Sequence, residues 1–383
     1  MASEYLNDPL RTENGLAFLR ELVAQAAASA DPSSHKLLLE KLLFSTGRVS
    51  RVGFVALSKR VSLDKVVVNL EEQSRGRLNQ FFDRCAKTAR DGRVPVYQRL
   101  EAIEALAFSK IHTQVLQELA LQGRFQRIRI AAATGLSRHG DLEIWRELLA
   151  RFRSESPALR GPILDGLLAR ADRTGLLLDE IEAGRVKTAE IDRNRTSRLL
   201  KHGNVNIRKR AAKLFANAIP ADRKTVLADY QVVLKMKSDP QRGRLVFQKN
   251  CANCHRIGDL GVNVAPDISD SRTKQPVQIL TDVLQPNRAI DANYISYSVR
   301  DTNGRVLTGI LASETATSIT LRQPEGKEVT LLRSEIDQIR SSGQSLMPVG
   351  LEKDISHQQM ADLISFIKNW RYLDGRTPLG VEQ

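Results

Sequence analysis

The sequence predicts a mainly α-helical protein in which a C-terminal domain carries a small antiparallel β insertion. Apolar residues recur at intervals of three and four from about Thr12 to Met236, and this spacing places them on one face of a helix. Between about residues 293 and 340 the interval becomes two, and Asn-Gly and Glu-Gly pairs separate the apolar runs, as in β-hairpins. A capping-box pattern at Ser356 then opens a last helix that runs to Trp370.

Length and charge indicate the domain organisation and the kind of partner. A chain of 383 residues is too long for one ordinary core, and we place a helical domain at 1–236, a second domain at 237–375 and a tail at 376–383. Residues 1–240 contain 41 Lys and Arg against 28 Asp and Glu, which is +13 of the total net charge of +14. This excess favours an acidic partner surface, although solvated helix faces are the simpler explanation. We expect no transmembrane segment, and the first residues lack the basic and apolar regions of an export signal.

The helical domain contains four segments that loosely repeat one another. A helix pair that cannot bury its apolar face alone stacks on its neighbours, as in an α-solenoid. The segments resemble HEAT repeats, so we predict a HEAT-like solenoid, with an irregular helical bundle as the alternative. The four segments are Arg99–Leu106, Arg127–Leu136, Leu159–Leu167 and Asn206–Leu214.

The second domain begins with a helix that leads directly into a cysteine motif. Ser238 or Asp239 can cap this helix, and Pro240 suits its first turn because its missing N–H is not needed there. The helix ends at Asn250, and the next five residues are Cys251-Ala-Asn-Cys254-His255. The motif therefore follows a helix and not a strand.

The Cys-x-x-Cys-His motif predicts covalent attachment of a c-type haem. Cys251 and Cys254 lie one helical turn apart, so that each thiol can form a thioether with a haem vinyl group, and His255 is then the proximal iron ligand. Two alternatives compete with this hypothesis. A thioredoxin-like redox pair needs a βαβ context, which the preceding helix does not provide. A zinc site needs four ligands, and no second Cys or His pair stands at suitable spacing.

Two more residues complete the predicted site. Met347 lies on an irregular segment just before the last helix, and we predict that its thioether is the distal iron ligand; the alternative is a buried loop methionine. Pro266 lies in the loop after the motif, where its carbonyl can accept the Nδ1–H of the proximal histidine, or where it is simply a loop proline. We find no acid/base cluster beside a cofactor pocket and expect no catalytic residue.

Taken together, these segments resemble the haem-binding cytochrome c domain common in planctomycetes and verrucomicrobia. The resemblance covers roughly residues 240–370 and rests on Gly243–Phe247, the cysteine motif, Asp282–Asn287 and Ser345–Pro348, among others. It implies a class I-like cytochrome c fold that holds one covalent haem c with its iron. In that family the domain often follows HEAT-like helices and a β-propeller that resembles quinoprotein sugar dehydrogenases.

The resemblance implies a periplasmic or otherwise extracytoplasmic electron carrier, not an enzyme. We expect it to accept electrons from a quinoprotein-type sugar or alcohol dehydrogenase, separate or lost, because the sequence shows no propeller. The helical domain is then expected to dock a redox partner protein, and nucleic acid is not expected to bind. The alternatives are a helical scaffold that binds an acidic partner and a fragment of a dehydrogenase.

Overall fold

The structure, a computed structural model, describes residues 12–28, 31–216 and 221–373. These residues are mainly helical and include one small sheet beside the cysteine motif, which confirms the predicted mainly α class with a β insertion. The chain forms two compact units, residues 1–148 and 149–383. The predicted boundary at residues 236/237 thus falls inside the second unit, and the predicted tail lies outside the described residues.

The described part of the first unit contains helices and no strand. Aromatic rings fill its core, where the ring centroid of Phe54 lies 4.6 Å from that of Phe81 and 5.4 Å from that of Phe82. Cys85 is buried as a small apolar residue. The helices are α1 (Glu13–Ala26), α2 (Pro32–Phe44), α3 (Gly47–Ser58), α4 (Leu63–Val67), α5 (Glu72–Arg90), α6 (Val96–Leu106), α7 (Thr113–Gln122), α8 (Gln126–His139) and α9 (Leu142–Ala150), the last of which ends in the second unit.

The second unit begins with more helices of the predicted helical domain. They are α10 (Pro157–Leu167), α11 (Ala171–Glu182), α12 (Arg193–Leu200), α13 (Val205–Ala216) and α14 (Ala221–Asp229), with short 3-10 helices at Phe152–Ser154, Thr188–Glu190 and Tyr230–Lys235. The segment around the motif follows, with α15 (Pro240–Asn250), a two-residue hairpin of β1 (Arg256–Ile257) and β2 (Leu260–Gly261), and α16 (Pro276–Leu284). A sheet separates α16 from the last helix, α17 (His357–Asn369).

The ends of α15 and α17 are fixed by the residues that the sequence suggests. The Asp239 side chain accepts the amides of Gln241 and Arg242, so Asp239 is the cap of α15. Ser356 and Gln359 form the capping box that opens α17. The two helices cross at Gly243, where a Cβ would clash with the carbonyl group of Asp362.

The sheet is antiparallel, with the strand order β6-β5-β4-β3-β7. Two tight turns contain residues with positive φ, at Gly304 (+81°) in the first and at Glu325 (+66°) and Gly326 (+77°) in the second. The period-two pattern does not reveal the last strand, because its apolar residues are few. The strands are β3 (Ile295–Asp301), β4 (Val306–Glu314), β5 (Ser318–Arg322), β6 (Glu328–Leu332) and β7 (Ile336–Ser345).

A buried ion pair joins the helices of the second unit to this sheet. Arg160 lies 2.5 Å from Glu190, and the two side chains are 2% and 0% exposed. The same guanidinium donates to the Ser341 hydroxyl (3.0 Å) and the Tyr297 hydroxyl (3.3 Å), and Tyr297 donates to the carbonyl of Glu155 (2.8 Å). Because buried charges need such partners, the network holds α10 against β3 and β7 and explains why these helices and the sheet form one unit.

Candidate functional site

The cysteine motif forms a tight helical turn at the end of α15. The amide of Cys254 donates to the carbonyl of Cys251 (3.0 Å), and the amide of His255 donates to the same carbonyl (2.8 Å). Both cysteines are free thiols and are partly buried. The turn carries the two thiols and the imidazole into one cavity.

A glycine allows the chain to fold back over this turn. Gly261 has φ +87°, and a Cβ there would clash with the carbonyl oxygen of His255. The following segment returns to the motif, since the amides of Val264 and Ala265 donate to the carbonyl of Cys254 at 3.0 and 2.8 Å. The loop that contains Pro266 is therefore held directly beside the histidine.

His255 is held in a fixed orientation by the Pro266 carbonyl, which is one of the two roles that the sequence leaves open for Pro266. The Nδ1 atom lies 2.8 Å from the Pro266 oxygen, so Nδ1 carries the proton and donates it. Burial lowers the pKa of His255, and the hydrogen bond to Pro266 offsets only part of this effect. The imidazole is therefore neutral near pH 7, with Nε2 as the nitrogen available to a metal.

Met347 lines the same cavity as the motif. Two cavities of about 190 and 100 Å³ share Cys251, His255, Asp282 and Met347 in their walls, and Cys254 and Pro266 line the larger one. Most other lining side chains are apolar and come from α16, β4, α17 and the connecting loops. They include Ile268, Ile279, Ile290, Ile310, Leu346, Leu351, Leu363 and Ile367. The structure thus brings together all five residues that the sequence analysis selects.

Two polar residues that the sequence analysis did not assign to the site hold or border the Met347 segment. The Asn287 side chain accepts the amide of Ser345 (2.8 Å), and the Ser345 hydroxyl accepts the amide of Met347 (3.1 Å). Asp282 lies in the cavity wall and forms an ion pair with Lys274 (2.8 Å). Both belong to the segment Asp282–Asn287, which carries part of the family resemblance. That resemblance is the feature of the sequence that could have indicated them as site residues.

The lining of the cavity, mainly apolar with two thiols and an imidazole, has the chemistry that suits an apolar macrocycle held through sulfur and imidazole. Burial, with a smaller contribution from the neighbouring Cys254, raises the pKa of the Cys251 thiol to about 12, and burial also raises the pKa of Cys254. Burial thus favours the neutral thiol form of both cysteines. In residues 12–28, 31–216 and 221–373, no group of three or more His, Cys, Asp or Glu side chains is placed to hold a metal ion, so the zinc alternative finds no ligand set there.

A larger cleft elsewhere in the second unit does not compete for this role. It encloses about 510 Å³ between the α11 and α13 region and the loops at residues 285–288 and 343–349. Its described lining contains no Cys, His or Met, and it shares only Pro286 with the larger motif cavity. The residues whose side chains suit an iron porphyrin all line the motif cavity of about 190 Å³. They are Cys251, Cys254, His255 and Met347.

Comparison with known proteins agrees with this geometry. Residues 240–305 match the cytochrome c family. The match covers well under half of the chain and ends in the turn between β3 and β4, before Met347 is reached. No curated protein matches the chain.

The motif, its turn and this match define a cytochrome c domain in the second unit. Its cofactor is covalently bound haem c with iron. Haem c supplies a site that takes up and releases one electron, so the domain serves electron transfer with a redox partner.

Proposed function

We propose that the chain is a monohaem electron carrier in which His255 and Met347 are the two axial iron ligands. One observation carries the proposal: a single pair of adjoining cavities has His255, both motif cysteines and Met347 in its walls. The Pro266 carbonyl fixes the imidazole, and Asn287 and Ser345 fix the segment that contains Met347. Both candidate ligands are thus held by the surrounding chain.

The role of this chain is electron transfer and not catalysis on a substrate. The cavity that contains the motif is lined mainly by apolar side chains. Its two carboxylates are Asp282, which is paired with Lys274, and Asp291, which accepts the amide of Asn293. Any dehydrogenase activity then belongs to a separate protein module.

We propose further that the helices up to residue 236 are HEAT-like and dock a redox partner, and that the domain resembles the type common in planctomycetes and verrucomicrobia. The excess of positive charge in residues 1–240 favours an acidic partner face. A quinoprotein-type sugar or alcohol dehydrogenase is the proposed electron donor. Maturation of c-type haem and the typical location of cytochrome c domains support an extracytoplasmic location. Among the described residues, no helix is both long and apolar enough to span a bilayer.

The experiment is a redox titration of the full chain, matured with haem. We expect a single reversible one-electron transition and one haem per chain. Reduction is then started with a soluble quinoprotein sugar dehydrogenase and its sugar, and we expect haem reduction whose rate falls as salt is added. Two separate redox transitions, or more than one haem per chain, would contradict the monohaem proposal. A salt-independent or absent reduction would contradict the donor proposal alone.

A further inference from the structure

We propose that the first unit contains a binding site for a phosphate group, an inference that goes beyond the electron-transfer function. The site is a cleft of about 350 Å³ between the start of α3 and the middle of α5. Three cationic side chains line it, Arg51, Arg84 and Lys87, and no acidic residue does. Its chemistry is therefore that of an oxyanion receptor.

The start of α3 supplies backbone donors to this cleft. α3 is 12 residues long, and its cap residue, Thr46, makes no side-chain hydrogen bond to the first-turn amides. Gly47 has φ +65°, and a Cβ at this position would meet no atom within 4 Å. A ligand oxygen can therefore approach the amides of the first turn closely, where the helix dipole favours negative charge.

Arg51 provides an independent indication that the cleft takes a ligand. The residue is only 8% exposed, and its Nε–H has no hydrogen-bond partner among the described residues. Its Nη2 lies 3.2 Å from Glu101, so the ion pair does not use the Nε–H. A buried donor of this kind is costly unless a partner is supplied, and an oxyanion in the cleft supplies one.

The other two cations complete the site and suit the test, because both are exposed. Neither Arg84 nor Lys87 forms an ion pair with a described residue, so each is free to contact a ligand. Thr46 and Thr88 also line the cleft. The cleft has room for a phosphate group, either free or carried as a monoester by a small molecule.

Isothermal titration of the full haem-loaded chain tests this site with two probes, inorganic phosphate and glycerol 3-phosphate, at constant ionic strength set with chloride. We expect saturable binding of at least one probe. We expect Arg84→Gln and Lys87→Gln each to weaken it by about tenfold, as the loss of one charge-assisted hydrogen bond predicts. Tighter binding of the monoester identifies the esterified source, and equal binding identifies the free ion.

Arg60→Gln is the matched control, because Arg60 is an exposed cation just past the end of α3 and outside the cleft. It removes the same charge and should leave the affinity unchanged. The proposal is overturned if neither probe binds, or if all three variants weaken binding equally, since that result indicates a general effect of net charge. Thermal unfolding without phosphate confirms that the variants are folded. The outcome does not depend on the axial ligands of the haem.

Discussion

The guanidinium of Arg160 in α10 lies 2.5 Å from the carboxylate of Glu190, and water reaches neither side chain. A buried pair of this kind is strongly destabilised when one partner is removed, because the other charge remains desolvated. Through Ser341 the pair also contacts β7, the strand that leads to the Met347 segment. Helix α10 is thus part of the support for the strand that leads to Met347.

We expect Glu190→Gln to lower the free energy of unfolding of the second unit by about 3–5 kcal/mol, because Arg160 then stays buried without its counter-charge. The measurement is urea unfolding followed through the haem absorbance, which reports on this unit. Asp165→Asn is the control, since Asp165 pairs with Arg195 while 52% exposed, and exposed pairs contribute at most about 1 kcal/mol. Equal effects of the two substitutions would contradict the network's role.

The crossing of α15 and α17 predicts a large effect for a very small side chain. A methyl group at Gly243 meets the carbonyl of Asp362 and, at 2.8 Å, the Cβ of Phe366, so the helices must separate. We expect Gly243→Ala to destabilise the domain by about 1–3 kcal/mol in urea unfolding. Gly175→Ala in α11 has open space around its added Cβ and should be neutral or slightly stabilising. A neutral Gly243→Ala variant would show that the crossing is looser than described.

Met347 offers a spectroscopic prediction. We expect Met347→Ala to abolish the weak long-wavelength absorption of ferric iron bound to thioether and to lower the reduction potential by on the order of 100 mV, within the roughly 0.8 V that axial ligands span. Met360→Leu is the control, because Met360 is fully buried in α17 and does not line the cavity. An unchanged spectrum in Met347→Ala would refute the assignment of the distal ligand.

Asp362 predicts how the stability of the domain depends on pH. Burial alone raises the pKa of this carboxyl, but hydrogen bonds from Arg242, the Asp239 amide and Gln358 outweigh it, and the pKa lies below its ordinary value. A lowered pKa in the folded state means that the stabilisation is complete above the ordinary pKa, near about 4, and is lost as the pH falls through the folded value.

We therefore expect Asp362→Asn to cost about 1–3 kcal/mol at neutral pH, the range for hydrogen bonds to a charged group, and to lose less stability than the parent protein between about pH 4 and pH 2. The measurement is urea unfolding at a series of pH values. Asp337→Asn is the control, because Asp337 and its partner Arg300 are about half exposed. Parallel pH profiles for the parent protein and Asp362→Asn would contradict the interpretation.

Local patterns predicted the elements that depend on neighbouring residues. The caps at Asp239 and Ser356 and the turns at Gly304 and Gly326 are fixed by side chains within a few positions, and they lie where the sequence places them. The convergence of His255 and Met347 on one cavity followed from motif chemistry and resemblance, not from spacing.

Features that depend on distant partners were not predictable in this way. Strand β7 has little period-two pattern, and its position comes from pairing with β3 and from the bond between Ser341 and Arg160, 181 residues away. The division between the compact units lies at residue 148, although the charge and period of the sequence change near residue 240. The Asn287 contact with Ser345 likewise spans 58 residues and has no local signal.

The most direct test of the account is whether haem remains on the polypeptide after denaturation. The full chain is expressed with a supplied signal peptide in a host that matures c-type cytochromes, then unfolded and separated on a denaturing gel. We predict haem that migrates with the protein at one per chain, and its loss when Cys251 and Cys254 are both replaced by Ala. Colourless protein, or haem that separates from the unfolded parent chain, would contradict the central claim.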